Sequence, residues 1–384
     1  MKNLTIEMLA LGDIILGADA PYYMSGIRDR LIDADFVIGQ LEIPYSDFAE
    51  ELSGLNRETK TLEPLVGCID LVTLAGNHIY DARETGVKET TAWLDAHGIL
   101  HVGGGMNTDE ARKPIITVQN EVRLGFLNYN CIGPANMTAM DNKAGCAALD
   151  IITHYEQKNV ANPGGSPELI HTFPEWRSLK AMCHDIERLR SECDVLCVYF
   201  HKGIVHKPAV IADYEQIISY AAIESGADVV FSSHAHILHG IEIYKGKTIY
   251  HGLGNGVVWA PSLRPDYQFS SKLKPNELFN PMDWAQKRYE RFGFISDPSY
   301  PTYPFHPEAV NTLIAKCLIA DKRIIETRCI PAIVGHDGVT RHVTKSGGGC
   351  QVFEYLNMIT EQAGLNARYR WDGDEIVIYS EKGD

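Results

Sequence analysis

The chain has 384 residues, 45% of them apolar and 22% charged, with a formal net charge of −15. That length suits one large α/β domain with additions, or two domains. The negative charge excludes nucleic acid as the main partner and repels other long polyanions, while leaving small ligands open. No segment approaches ~18 consecutive apolar residues, so no membrane span is expected. Glu7 and Asp13 interrupt the apolar start, which does not read as a signal peptide. Nine cysteines are scattered without a C-x-x-C pair, as in a reducing compartment, and the expected location is cytoplasmic.

In chain order, β-rich runs are predicted at 4–12, 35–40, 70–75, 122–128, 194–200, 227–232 and 247–252. Helical periodicity is predicted at 24–33, 82–97, 176–191 and 209–225, the last ending at Gly226. This alternation implies an α/β protein, a sheet covered by helices. Residues 134–175 and 260–308 are turn-rich and longer than ordinary connections, as functional lids or partly disordered segments are. From about residue 309 the pattern becomes a hairpin, a helix over 349–363 and a last strand pair turning at Asp-Gly. The expected organisation is a catalytic domain over 1–308 with a small α+β extension, 309–384, packed on it.

The ends of the predicted strands share a chemistry. Gly12-Asp13 follows the first, Gln40-Leu41-Glu42 the second, and Gly76-Asn77-His78 the third, with Asp81 three residues on. His201 follows the run VLCVYF, and His234 and His236 follow DVVFSS. Five successive strands thus end in a carboxylate, an amide or an imidazole, at the edge where α/β sheets bind ligands. Two carboxylates, one amide oxygen and three imidazoles form a mixed O/N donor set without thiolate. It suits Mn²⁺, Fe²⁺ or Zn²⁺, with Ca²⁺ as the harder alternative. Six donors exceed one tetrahedral set, so two ions bridged by one carboxylate is the economical arrangement.

In order, Gly12-Asp13, Leu41-Glu42, Asn77-His78 with Asp81, His201-x-Gly203, His234-x-His236 and Leu253-Gly254-Asn255 resemble the CapA family. That family, named for bacterial capsule and poly-γ-glutamate synthesis, looks like a branch of the calcineurin-like metallophosphoesterases. The likeness spans about 5–260 and includes the Gly-rich segment 103–114. It implies a four-layer α/β/β/α sandwich with the metal site along one sheet edge. It further implies Asp13 and His236 on a first ion, Glu42 as the bridge, and Asn77, His201 and His234 on a second. His78 would be the acid or base near the metals, and Asp81 would orient it or touch substrate; Asp81 as the N-cap of the following helix is the other reading. The chain departs from the pattern at Ile15, where the phosphatases have a ligand histidine, at Ser232 and Ser233, at Gly256, and at Lys202 in place of an aromatic residue.

Lys202 could bind a substrate anion, and His306, in the aromatic run YPFHPE, could face the site as a base. His239 and His251 read as outer supports, and His206, His154 and His171 as background. The expectation is a metal-dependent hydrolase whose activated water attacks an amide or ester of a small carboxylate-bearing substrate or short peptide. A phosphoesterase, a single-metal epimerase or isomerase, and a non-catalytic assembly protein are the alternatives. No membrane partner is expected, and a homodimer is left open.

Overall fold

The computed structural model describes residues 5–159, 161, 168–264, 267 and 287–381. In chain order, the strands of the two main sheets are β1 (Ile6–Ile15), β2 (Phe36–Leu41), β3 (Leu71–Thr73) and β4 (Leu100–Val102). They continue as β5 (Ile115–Gln119), β6 (Val122–Asn130), β7 (Val195–Lys202), β8 (Val229–His234), β9 (Ile241–Tyr244), β10 (Lys247–Tyr250) and β11 (Asn255–Val258). The last five are β12 (Asn311–Ala320), β13 (Arg323–Val334), β14 (Thr340–His342), β15 (Arg368–Asp372) and β16 (Glu375–Tyr379). The larger helices are α1 (Ala20–Met24), α2 (Arg28–Ile32), α3 (Arg83–Ala96), α4 (Trp176–Arg190), α5 (Asp213–Glu224) and α6 (Cys350–Gln362).

The strands form two sheets. One runs β15-β16-β13-β12-β1-β2-β3-β4, with β11 also on β1 and β14 on β13; the other runs β9-β10-β8-β7-β6-β5. Strand alternation places Ile6, Met8, Ala10, Phe36 and Ile38 in one core with Leu124, Phe126, Cys197, Tyr199, Val229 and Phe231 of the second sheet. The two sheets therefore pack face to face. The Phe36 and Phe126 rings stack at 5.4 Å across this core, and the Tyr199 hydroxyl donates to Leu11 O at 2.8 Å. Leu9, Leu11, Val37 and Val72 point the other way, into a core with Met24, Leu31, Val87 and Leu94 of α1–α3. Leu127, Leu196, Val198 and Val230 likewise meet Met182, Ile186, Ile218 and Ala222 of α4 and α5. Each fully buried Leu, Ile or Phe stabilises the fold by about 1.5–3 kcal/mol of transfer free energy.

Some elements differ from expectation for local reasons. The helix predicted at 24–33 is two short helices parted around Gly26, where a Cβ would overlap the Thr340 carbonyl of β14. The helix predicted from 209 starts at Asp213: Ala209 has φ 55°, and the Glu215 carboxylate accepts the Ala212 N–H at 2.9 Å to fix the start. The turn-rich stretch 134–175 contains a paired hairpin, Ile151–Glu156 with Leu169–Pro174; residues 160 and 162–167 lie outside the described residues. So do 265, 266 and 268–286 of the second turn-rich stretch. Strands β12, β13, β15 and β16 extend the first sheet, β12 pairing antiparallel with β1 from Ile6↔Ile319 to Ala10↔Ala315, and Val352, Leu356 and Ile359 of α6 pack in the same core as their inner residues. Among the described residues, no helix is long and apolar enough to cross a membrane.

Candidate metal centre

The parallel strands β1, β2 and β3 of one sheet and β7 and β8 of the other deliver their C-terminal ends to one place. Asp13 lies inside β1 rather than after it, at a bulge. Leu11 pairs with Gly39 and Asp13 with Gln40, while toward β11 the register slips between Asp13 and Ile14, around Gly256. Bulges re-aim a side chain in this way. Pairing with β1 continues one residue past β2, where the Glu42 N–H donates to Ile14 O at 3.2 Å.

Asp13, Glu42 and His201 are fully buried, His234 nearly so. Two three-residue groups have ligand atoms within 4.8 Å of one another: Asp13, Glu42 and His236, and Glu42, His201 and His234. Glu42 belongs to both. Asn77 joins the second group through Oδ1, 2.8 Å from His201 Nε2, and His234 Nδ1 is 3.1 Å from that same nitrogen. His236 stands between the carboxylates, 3.4 Å from Asp13 Oδ2 and 3.3 Å from Glu42 Oε1, with Asn255 Oδ1 at 2.8 Å from its Nδ1. His234 and His236 have φ of 104° and 53°, so the pair turns instead of lying along one strand face. Asp13 Oδ2 accepts the His234 N–H at 3.0 Å and anchors that turn.

The electrostatics fit a cation between the carboxylates. Among the described residues, both Glu42 oxygens and Asp13 Oδ1 are buried without a hydrogen-bond partner; the His236–Glu42 contact is within charge range but not aligned as a hydrogen bond. Burial, then the Glu42 charge, raises the Asp13 pKa. Burial also pushes Glu42 up, but His236, His78 and His201 outweigh it and hold that carboxyl below its usual range. Burial lowers His201 to about 3 and keeps His234 well below the usual imidazole value, so both rings are neutral with free lone pairs, the form that ligates metals. The donor set and the orphaned carboxylate oxygens thus suit divalent ions.

The cluster opens on a cavity of about 350 Å³ lined by Glu42, Asn77, His78, Asp81, His234 and His236 among others, and walled by apolar groups including Leu55, Ile132, Met137, Val205, Phe292 and Phe305. Ile15, where the phosphatases have a histidine, is part of that apolar wall. His78 Nδ1 is 2.6 Å from Asp81 Oδ2. The same oxygen accepts the Leu55 N–H at 2.7 Å, and a Cβ on Gly54 would overlap the carboxylate, so only glycine lets this loop approach. Helix α3 has its N-cap at Ala82 with no side-chain cap bond; Asp81 faces His78 instead of capping it. Burial alone would lower the His78 pKa, but Asp81 outweighs it and raises it.

Two expected site residues lie elsewhere. Lys202 is fully buried and does not line the cavity. Its Nζ sits 3.5 Å from Glu215 Oε2 and 3.0 Å from His251 Nδ1, because alternation along β7 turns it away from the face His201 takes. It is a structural cation, and Lys202→Met should destabilise the fold by ~3–5 kcal/mol, by stranding Glu215, while leaving metal uptake unchanged. Urea unfolding and elemental analysis check both halves, and a loss of metal would return Lys202 to the site. His306 is turned from the cavity: its Nδ1 accepts the Glu308 N–H at 3.2 Å and its ring meets Phe294 at 5.1 Å, while neighbouring Phe305 lines the wall. His251 pairs with Glu242 at 3.0 Å and His239 with Lys207 O at 3.1 Å. The wall also contains His206, Ser262 and Arg288, which no motif singled out.

Two facing sheets, with carboxylates and imidazoles gathered at the strand ends, define an α/β protein with a candidate metal centre. Residues 5–258 match the family described as bacterial capsule synthesis protein PGA_cap, and the chain belongs to that family. The capsule biosynthesis protein CapA of Bacillus anthracis is 21% identical over 277 residues, covering 67% of this chain and 60% of that protein. The PGA biosynthesis protein CapA of Bacillus subtilis is 24% identical over 233 residues, covering 58% and 53%. The chain thus spans little more than half the length of these curated relatives. Among solved structures, a phosphatase from Mycoplasma pneumoniae aligns at TM-score 0.47 and 13% identity over 86% of this chain and 94% of that one. A 5'-nucleotidase from Candida albicans aligns at 0.39 and 11%, over 96% and 61%.

Proposed function

We propose that this protein is a divalent-metal-dependent hydrolase in which water attacks an amide or ester of a small, carboxylate-bearing substrate. The observation that carries this reading is the pair of ligand groups that share Glu42 and reach a cavity through Glu42, His234 and His236. Asp13, Glu42 and His236 would hold one ion, and Glu42, Asn77, His201 and His234 the other; Mn²⁺, Fe²⁺ or Zn²⁺ suits such donors. When bound, the ions supply Lewis-acid activation of water and of the group it attacks. His78 lines the cavity with Nδ1 held by Asp81, which leaves its Nε2 to pass a proton to the leaving group. The apolar wall keeps other water out and strengthens these interactions.

The lean toward an amide draws support from the relatives, whose names assign them to PGA biosynthesis and, in Mycobacterium tuberculosis, to polyglutamine synthesis as a probable accessory protein. The test is a panel of γ-glutamyl amides, carboxylate esters and aryl phosphates, assayed with Mn²⁺ or Zn²⁺. Turnover of a carboxylate-bearing amide or ester, lost with chelator and in His234→Ala, is the expected result. Cleavage confined to the phosphates would make the protein a phosphoesterase. Solvent deuterium entering at Cα without cleavage would make it a proton-transfer enzyme.

A further inference from the structure

His206 is 3% exposed and forms part of the cavity wall. Its φ is 57°, a conformation that costs a non-glycine residue about 1–3 kcal/mol. Its backbone N–H donates to Ala235 O at 2.9 Å, which ties it to the residue between His234 and His236. The ring centroid lies 6.0 Å from that of His236, and the Phe292, Phe294 and Phe305 rings pack round it at 5.1, 4.9 and 5.8 Å.

One ring nitrogen has a partner: Arg288 Nη2 is 3.1 Å from His206 Nε2. A guanidinium offers only donors. Nε2 must therefore accept, and the single proton of the neutral ring sits on Nδ1. A second proton on Nε2 would set N–H against N–H and one buried cation against another. Among the described residues, Nδ1–H is buried and has no hydrogen-bond partner, and the Ser262 hydroxyl, on the same cavity wall and 2% exposed, has none either. Leaving a buried donor unmet costs about 1–3 kcal/mol each.

We infer that His206 is a substrate-binding residue, a neutral imidazole whose Nδ1–H donates to an oxyanion oxygen of the ligand beside the metal centre, with the Ser262 hydroxyl as a second donor. The ligand group is a carboxylate or a phosphoryl group. Arg288 fixes the tautomer and, by drawing on Nε2, makes Nδ1–H a stronger donor. This deepens the hydrolase reading and rests on it for the place of the substrate, though the tautomer stands without it.

The test uses the full chain, labelled with ¹⁵N-histidine and supplied with Zn²⁺. Two-bond proton–nitrogen spectra report each ring's tautomer, and the signals absent from His206→Gln identify His206. The expected result is an Nδ1–H ring whose Nδ1 shifts when glutarate or inorganic phosphate is added. Calorimetry should then show binding of the preferred anion weakened ~10-fold or more in His206→Gln, and several-fold in Ser262→Ala. A response to glutarate alone assigns a carboxylate, and one to phosphate alone a phosphoryl group. An Nε2–H ring, no binding of either anion, or unchanged affinity in a folded His206→Gln overturns the inference. Zinc uptake measured alongside separates the two readings. A His206 response without zinc binding would keep this inference and remove the hydrolase, and zinc binding with a silent His206 would do the reverse.

Discussion

Glu42→Gln is expected to be less stable than the wild type in chelator, and to gain almost nothing from added metal. Both Glu42 oxygens are buried without a hydrogen bond, and the Asp13 carboxylate shares the site. Glutamine keeps the volume and removes the charge. His236 at 3.3 Å, with His78 and His201, favours that charge more than burial opposes it, so the expected loss in the metal-free state is ~1–3 kcal/mol. With metal the difference widens. An ion present at about 100 times its dissociation constant adds about 2.7 kcal/mol to the wild type, and the substitution weakens both ligand groups because Glu42 is common to them. Thermal unfolding in EDTA and in Zn²⁺, run on both proteins, gives the four values needed. A Glu42→Gln protein that still rises normally with Zn²⁺ would rule out a shared carboxylate.

His78→Gln should lower kcat by ~10²–10⁴ on any substrate the wild type turns over, with metal content unchanged. The ring lines the cavity but belongs to neither ligand group, so its loss removes proton transfer and leaves the ions in place. Asp81→Asn should lower kcat less, since an amide oxygen can still accept from His78 Nδ1 and from the Leu55 N–H but carries no charge. A rise in KM alone would make His78 a contact for the bound substrate. Loss of metal would make it a support for Asn77.

The ligand cluster was legible because it needs only two facts, the apolar runs and the polar residues that end them. Asp13, Glu42, Asn77, His201, His234 and His236 come together from strands that the hydrophobic pattern already marked. What failed to show depended on direction or on distant contacts. Lys202 looked like a site cation from its place beside His201, whereas strict alternation along β7 puts neighbours on opposite faces. Asp13 seemed to follow a strand, because a bulge leaves no trace in periodicity. His206 gave no signal at all. Its position comes from a positive φ and from a guanidinium 82 residues further along the chain. His306 shows the converse, an aromatic run whose phenylalanine meets the cavity while the adjacent histidine caps a turn.

The pairing of β1 with β12 bears on how the chain comes to fold. Ile6–Ala10 take their partners from Ala315–Ile319, while Asp13 takes Asn255. On a ribosome, the strand that carries the first carboxylate emerges long before β12 and waits for it. Until then one edge of β1 is open and apolar, the kind of edge that recruits other chains. Closing it requires contacts of very long sequence separation, which form slowly. The centre is therefore completed only after β12 is synthesised, and yield should respond to slower growth or lower expression temperature more than a chain built of local contacts would.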